Sequence, residues 1–531
     1  MVPAMTRNGR LSLWERLAPH FGIMLILIVV FLLYAPSLSN YLLGDDFEWL
    51  NSVYPAWRNP ELLFEKINNF YRPLVKLSYL LNFAVSGNRV FAYNLLNILL
   101  HLGNLWLLFR LAIRLFRRAM PAFLAVVAYG VCPLYSEVTL WAAGRPDSIL
   151  MLFILSALLL LARRKPEETR LPWRTHLWLG LLAIGAASTK ESWVILPPLA
   201  FFFLWLVRGM PFRRAFTQTS GLFLLLGLYL GWAIGAPLLK GSAPFTRYGQ
   251  ANLGAMLDKA ALLFWEFLGA GNLYRGDWWQ YLLVIVLLSG SVIWLVRRRN
   301  RTALFGMVWL GLGIGVSLPV IYAASRYNYI PLMGFWLALV AGITVEYGEF
   351  VRRHDLLRRW TGIAIAVPLL VYLAVQSFWL QVEIRDYRLR GEMHRQLADK
   401  YNDVRSRIPR DEPFIFLDLG RRLAVRELAA SIRGIEKHLF VRERAIWQQV
   451  FLAPLGNFLG TPFSHRLEEV DRSEWLPVLR EKAVTLIFTD EGFAFAADER
   501  FRVKILERFS QSGKMPFKVQ ILRLRMLQGR S

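Results

Sequence analysis

The chain has 531 residues, of which 55% are hydrophobic and only 19% charged, and its formal net charge is +25. A soluble chain of this size carries roughly a quarter charged residues. Here long uncharged runs alternate with short Arg clusters, which excludes a single soluble domain. The positive excess lies beside those runs, so it reads as topology-setting charge and attraction to anionic lipid, with no nucleic acid as partner.

Arg7, Arg10 and Arg16 precede an apolar stretch too long for a cleavable signal, so this segment reads as a signal anchor. A membrane span needs about 20 largely apolar residues. About eleven runs qualify: 20–39, 91–110, 119–137, 147–162, 175–189, 192–207, 218–239, 280–296, 303–323, 328–346 and 361–380. The fifth and sixth are short and share a boundary at Lys190-Glu191.

With the N-terminus cytoplasmic, six successive inside segments are basic, including Arg110/Arg114/Arg117/Arg118, Arg163/Arg164/Lys165 and Arg297/Arg298/Arg299/Arg301. The opposite loops mix signs, and an odd span count leaves the C-terminal segment extracytoplasmic. Residues 40–90 form a long outside loop in which 60–83 reads as one or two interfacial amphipathic helices. In the second long outside loop, 240–279, Trp265, Tyr274, Trp278 and Trp279 suit the headgroup belt.

After 381 the composition changes to 28 Lys and Arg against 21 Asp and Glu, with no further span. Strand-like runs at 414–417, 484–489 and 519–524, and helical periodicity at 425–435 and 475–482, predict a small soluble α/β domain. The expected organisation is a polytopic α-helical membrane domain over 1–380 and an extracytoplasmic α/β domain over 381–531. The single cysteine, Cys132, permits no intrachain disulfide and no cysteine-based metal site.

Ionisable residues within or at the lip of a bundle are costly, which makes them functional candidates. Asp45-Asp46 follows the first span; such a pair can hold a cation, act as a general base or form a solvated turn. Tyr71-Arg72-Pro73-Leu74, with Lys76, can grip phosphate or anchor the chain at the interface. Asn94, Asn97 and His101 share one helix face, where interhelical hydrogen bonding is the plain alternative and a metal is not expected. Glu137, Arg145 and Asp147 sit between the third and fourth spans and can form an ion pair with one group to spare. Lys190-Glu191 and Ser325-Arg326-Tyr327-Asn328-Tyr329 complete the set, all on the outside. An acid–base group with a phosphate clamp is what transfer from a lipid phosphate requires.

Taken in order, these segments resemble a known family. The series comprises Asp45-Asp46, Tyr71-Arg-Pro-Leu, and Tyr93-Asn-Leu-Leu-Asn97 through His101. It continues with Pro133-Leu-Tyr-Ser-Glu137 through Asp147, Ser188-Thr-Lys-Glu191, and Arg326-Tyr-Asn-Tyr329-Ile-Pro331. It looks like the membrane region of the transmembrane-and-TPR-repeat O-mannosyltransferases and their bacterial relatives, within the GT-C superfamily. The resemblance implies a GT-C fold, a polyprenyl-phosphate-linked sugar donor and inverting transfer outside the cytoplasm, with a bacterial inner membrane as the expected location. It implies that Asp45 or Asp46 is the base and that Arg145, Lys190 or Arg326 holds the donor phosphate. Tyr71, Arg72, His101, Glu137, Asp147, Glu191 and Tyr327 are the further substrate-binding candidates. No cofactor is expected, and a divalent metal is not expected. No TPR repeats follow the last span, so a protein acceptor is not carried over; glycan, lipid and protein acceptors stay open. A transporter or flippase of a lipid-linked saccharide is the alternative, but it predicts mid-membrane charges and repeated halves, which the sequence lacks.

Overall fold

The structure, a computed structural model, describes residues 13–163, 170–239, 252–268, 275–320, 324–353 and 358–405, apart from 44, 68, 69 and 88. Beyond 405 it describes 413–418, 465–469, 475–480, 485–489, 492–496, 519–526 and a few single positions. Arg7, Arg10, Arg164, Lys165, Tyr274 and the periodicity at 425–435 lie outside the described residues. Two compact units divide the chain: Met1–Pro36, Asn69–Val75 and Asn94–Ile384 in the first, Ser37–Asn68, Lys76–Tyr93 and Arg385–Ser531 in the second.

The helices in chain order are α1 (Leu13–Tyr34), α2 (Asp45–Val53), α3 (Pro73–Ser86), α4 (Val90–Phe116), α5 (Ala119–Gly130), α6 (Ser136–Leu140), α7 (Arg145–Ala162) and α8 (Trp173–Ala187). Then come α9 (Leu196–Phe202), α10 (Phe212–Leu239), α11 (Leu253–Phe267), α12 (Trp278–Arg297), α13 (Arg301–Gly315), α14 (Tyr329–Arg353), α15 (Arg358–Arg405) and α16 (Trp475–Arg480).

The chain is a multi-pass integral membrane protein. Among the described residues six helices are long and apolar enough to cross a bilayer: Leu17–Ser39, Val90–Phe116, Ala142–Ala162, Trp278–Arg297, Ser325–Glu349 and Ala366–Glu392. α5 and the segment Pro133–Leu140, bent by 55° at their break, make a seventh if counted as one span. The count of eleven is thus not reached by length and composition. The runs at 175–189, 192–207 and 303–323 fold as α8, the helix Glu191–Val207 and α13, each too short to qualify. Hydropathy sums apolar residues, whereas helix length also depends on where caps and turns stop the backbone.

Local chemistry sets several of these ends. At the α12–α13 corner Arg299 adopts φ 52°, the left-handed conformation that closes a helix. Arg299 N–H donates to Val296 O at 3.0 Å and Asn300 N–H to Leu295 O at 3.1 Å, while Asn300 Oδ1 accepts from Ala303 N–H at 3.1 Å. The basic segment therefore ends one helix and caps the next. Arg298 also bridges to Glu346 and Glu349 on α14, at 3.1 and 3.0 Å.

α13 and α14 then approach backbone to backbone. A Cβ on Gly306 would lie 2.7 Å from Gly334 O, and one on Gly334 2.6 Å from Gly306 O. Small residues at such crossings replace a hydrophobic driving force with close van der Waals contact.

A buried polar stripe joins the first unit's helices. His101 and Asn104 of α4 are 0% exposed. Asn104 Nδ2 donates to Ser148 O at 2.9 Å and to Tyr329 Oη at 3.0 Å, and Tyr129 Oη donates to Tyr329 O at 2.8 Å. Interhelical hydrogen bonds of this kind fix register where water is absent.

The loop predicted as amphipathic over 60–83 is split. A 3-10 turn spans Pro60–Phe64, and α3 starts only at Pro73, whose fixed φ suits a first helical position. Trp49 stacks on Tyr79 at 5.7 Å, and Lys76 Nζ donates to Leu62 O at 2.6 Å. α15 continues unbroken through residue 381, because a change from apolar to charged residues alters solvent preference without ending a helix. A Cβ on Gly391 would lie 2.8 Å from Tyr41 N, so α15 packs closely against the backbone at Tyr41. The strands β1 (Pro413–Asp418), β2 (His465–Glu469), β3 (Thr485–Thr489), β4 (Gly492–Ala496) and β5 (Val519–Met526) form one sheet in the order β2-β5-β1-β3-β4. β1 pairs parallel with β3, and the other neighbours are antiparallel.

Candidate active site

The first unit gathers charge around one aromatic ring. Tyr327 lies in the 3-10 turn Ser325–Asn328 that leads into α14. Lys259 Nζ of α11 sits 4.4 Å from its ring centroid, Arg326 Cζ 5.4 Å and Lys190 Nζ 5.6 Å. Cations at such distances are attracted by the ring quadrupole.

Lys190 occupies the extended turn after α8. Its ammonium donates to both Asp147 oxygens at 2.6 Å. Asp147 is held in the first turn of α7, where a carboxylate also complements the helix dipole. Arg326 pairs with Glu137 in the first turn of α6: its backbone N–H and Nη1 both donate to Oε2 at 3.2 Å. Glu137 N–H donates to Ser325 Oγ at 3.2 Å, so the segments are tied in both directions.

Arg145 is 0% exposed, and its Nε donates to Asn97 Oδ1 at 3.0 Å. Asn97 in turn donates to Trp141 O at 2.7 Å. Arg145 and Asn97 thus brace the 138–145 turn. Arg72 makes a two-point contact with Glu191, Nη2–Oε2 at 2.6 Å and Nε–Oε1 at 3.2 Å, and its guanidinium lies over Phe70. Tyr71 packs edge-on against Trp232. The structure therefore unites Arg72 with Glu191, Lys190 with Asp147, and Arg326 with Glu137.

His101 does not join this cluster. Its Nδ1 lies 3.1 Å from Tyr329 Oη and its Nε2 3.3 Å from Gly130 O, within a nest of Tyr34, Tyr129, Tyr135 and Tyr329. Both of its nitrogens are engaged by protein and the ring is fully buried.

Lys259 was not singled out from sequence. It lies in the long outside loop, where a lone Lys reads as solvated charge. In the structure it is 5% exposed, four residues from the buried Leu263 on the inward stripe of α11. Its ammonium donates to Ser317 O at 2.7 Å and Val320 O at 3.1 Å. Seven residues on, Glu266 accepts from Asn328 Nδ2 at 3.0 Å. The legible signal is a Lys and a Glu on the apolar face of an amphipathic helix.

The electrostatics follow from burial and crowding. Burial lowers the Lys190 pKa; Asp147 opposes this, while Arg72 and Arg326 add to it. Burial, then Arg326, brings Lys259 down to about 8. Burial raises the Glu266 carboxyl, with the Asn328 hydrogen bond opposing.

Asp45 and Asp46 belong to the second unit, at the start of α2. Asp46 is 1% exposed; its Oδ2 accepts from Leu43 N–H at 2.9 Å and its Oδ1 lies 3.4 Å from Tyr79 Oη. Asp45 is partly exposed. Among the described residues no group of three or more His, Cys, Asp and Glu is placed to hold a metal ion.

This many-times-spanning chain, with its paired and crowded cations, resembles the GT-C glycosyltransferases in its motifs. The dolichyl-phosphate-mannose-protein mannosyltransferase family model matches residues 73–234. That region holds Glu137, Arg145, Asp147, Lys190 and Glu191. Protein O-mannosyl-transferase TMTC3 of Mus musculus is 26% identical over 136 residues, covering 26% of this chain and 15% of that protein. Protein O-mannosyl-transferase TMTC2 of Mus musculus is 28% identical over 158 residues, 29% of this chain and 19% of that one. Protein O-mannosyl-transferase Tmtc1 of Drosophila melanogaster is 29% identical over 158 residues, 30% and 17%. The match thus spans less than a fifth of these relatives' length. The crystal structure of ArnT from Cupriavidus metallidurans bound to undecaprenyl phosphate aligns with a TM-score of 0.47 and 13% identity, over 94% of this chain and 97% of that one.

Proposed function

We propose that the chain is an inverting membrane glycosyltransferase that moves a sugar from a polyprenyl-phosphate-linked donor to an acceptor hydroxyl on the extracytoplasmic side. The observation that carries this reading is the gathering of Lys190, Lys259 and Arg326 around Tyr327. When the bond between the anomeric carbon and the phosphate oxygen breaks, the electron pair leaves with the phosphate. Preorganised cations in a site of low dielectric stabilise that developing charge.

The acceptor oxygen forms the new bond from the opposite face, which inverts the carbon, and its proton passes to a carboxylate. Asp45 or Asp46, at the start of α2, is the carboxylate for that role; Asp46 Oδ2 also accepts from Leu43 N–H. The family match supports the reaction class. The basic segments support a cytoplasmic N-terminus, and the five-stranded sheet with α16 supports a small C-terminal α/β domain.

The test is transfer by the purified full chain from radiolabelled polyprenyl-phosphate sugars to a panel of glycan, lipid and peptide acceptors. Labelled product and free polyprenyl phosphate are expected, with both reduced in Arg326→Gln. Absence of transfer from every donor, with passage of a lipid-linked saccharide across proteoliposomes, would replace this reading with a transporter.

A further inference from the structure

The bundle end opposite the Tyr327 cluster gathers charge of one sign. α7 starts beside Lys190 at Asp147 and stops before Arg163, about 24 Å further along the helix. Arg114, near the end of α4, is half-buried. Its Nη1 donates to Arg110 O at 2.9 Å, which folds the side chain back along its own helix. The charges acting on Arg114 are both of its own sign, Arg110 one turn earlier and Arg163 at the end of α7. A fourth guanidinium, that of Arg208, donates to Leu161 O in the last turn of α7 at 3.4 Å.

Among the described residues no carboxylate pairs with Arg110, Arg114 or Arg163. At the other end Lys190, Arg326 and Arg72 each have a carboxylate partner. Arg298, at the α12–α13 corner, has two, Glu346 and Glu349. Topology asks only for positive charge in a loop, not for three guanidiniums from two helices at one corner. Like charges so close repel, and an anion among them turns repulsion into attraction.

The face of α4 leading to this corner is apolar and open. Leu99 is 50% and Trp106 41% exposed, and Arg110 Cζ lies 5.5 Å from the Trp106 ring centroid. Leu99, Trp106, Arg110 and Arg114 follow at spacings that keep them on one side of the helix. An exposed Trp beside an Arg suits the depth of the headgroups.

We propose that Arg110, Arg114 and Arg163 form a binding site for the phosphate of an anionic phospholipid, in the leaflet opposite the candidate active site. Its acyl chains run along Leu99 and Trp106. The guanidinium forks match phosphate oxygens in geometry and charge. A free phosphate would leave the apolar stripe uncovered, and a zwitterionic headgroup brings an ammonium that the corner repels. The inference goes beyond the glycosyltransferase reading and does not depend on it.

The experiment titrates the purified full chain in detergent with phosphatidylglycerol, and separately with phosphatidylcholine of the same acyl chains, and counts bound lipid by native mass spectrometry. Glycerol phosphate is the competitor that lacks chains. Phosphatidylglycerol is expected to bind more tightly than phosphatidylcholine. Its affinity is expected to fall about fivefold in Arg163→Gln and about thirtyfold in Arg114→Gln with Arg163→Gln. Arg326→Gln, changed at the other end, should keep it. Arg163 is exposed, so the single variant removes a guanidinium without opening the bundle, and thermal melts verify the fold. Equal affinity for phosphatidylcholine, or wild-type affinity in folded Arg163→Gln, overturns the proposal. Displacement by equimolar glycerol phosphate overturns the lipid as occupant and leaves a free phosphate. Loss of the lipid in Arg326→Gln but not in the Arg163 variant moves it to the candidate active site and also overturns the proposal. Each of these outcomes leaves the sugar-transfer reading untouched.

Discussion

The Lys190 ammonium lies 2.6 Å from both carboxylate oxygens of Asp147, 43 positions earlier in the chain. The pair is nearly dry, with side-chain exposures of 9% and 3%. It couples the turn after α8 to the first turn of α7 and sets the ammonium toward Tyr327. Removing one member of a buried pair strands the other charge, whereas removing both does not.

Lys190→Met should therefore destabilise the chain by about 3–5 kcal/mol, and the double change Lys190→Met with Asp147→Leu should recover much of that loss. Detergent-solubilised variants compared by denaturant titration measure the coupling. Equal stabilities for single and double variants would show that the pair is not energetically linked.

The two adjacent acids of α2 should separate by phenotype. Asp45→Asn is expected to lower transfer by about 10²- to 10⁴-fold, the range of a lost general base, with little change in melting. Asp46→Ala removes the acceptor for Leu43 N–H and should cost about 1–3 kcal/mol of stability. Transfer assays paired with thermal melts decide it; full turnover by Asp45→Asn would end its assignment.

Gly144 lies against the carbonyl of Glu137, and a Cβ there would fall onto that oxygen. Gly144→Ala should push the Glu137 segment from the Arg326 turn and abolish transfer, with a strong loss of folded yield. Gly180→Ala, where nothing lies within 4 Å of the added Cβ, should be silent. Size-exclusion yield together with activity separates the two.

At the α12–α13 corner, Arg299 pays for a left-handed backbone with φ 52°. Arg299→Gly should stabilise the corner by about 1 kcal/mol, and Arg299→Val should weaken it by a similar amount. A reversal of that order in denaturant midpoints would contradict the capping geometry.

Much of the architecture was legible because it depends on local sums. The runs at 280–296 and 328–346 became α12 and α14, and the strand-like runs at 414–417, 484–489 and 519–524 coincide with β1, β3 and β5. The boundary at Lys190-Glu191 also falls where α8 gives way to the next helix. Among the described residues, the run at 303–323 falls short of a span because α13 ends at Gly315. His101 and Lys259 show the harder limit: each is a polar residue among apolar neighbours, yet one is absorbed by Tyr329 and Gly130 and the other meets Tyr327.

By itself, the sequence determined a basic, polytopic membrane chain with acids and cations at recurring loop positions, because hydropathy and charge act through nearest neighbours and the bilayer. Only the tertiary structure decided which acid neutralises which cation: Asp147 for Lys190, Glu137 for Arg326 and Glu191 for Arg72. It alone brought Lys259 onto Tyr327, since α11 and the turn before α14 are far apart in sequence and their meeting depends on packing. Coulomb interactions depend on distance and dielectric, and both are set by packing rather than by spacing along the chain.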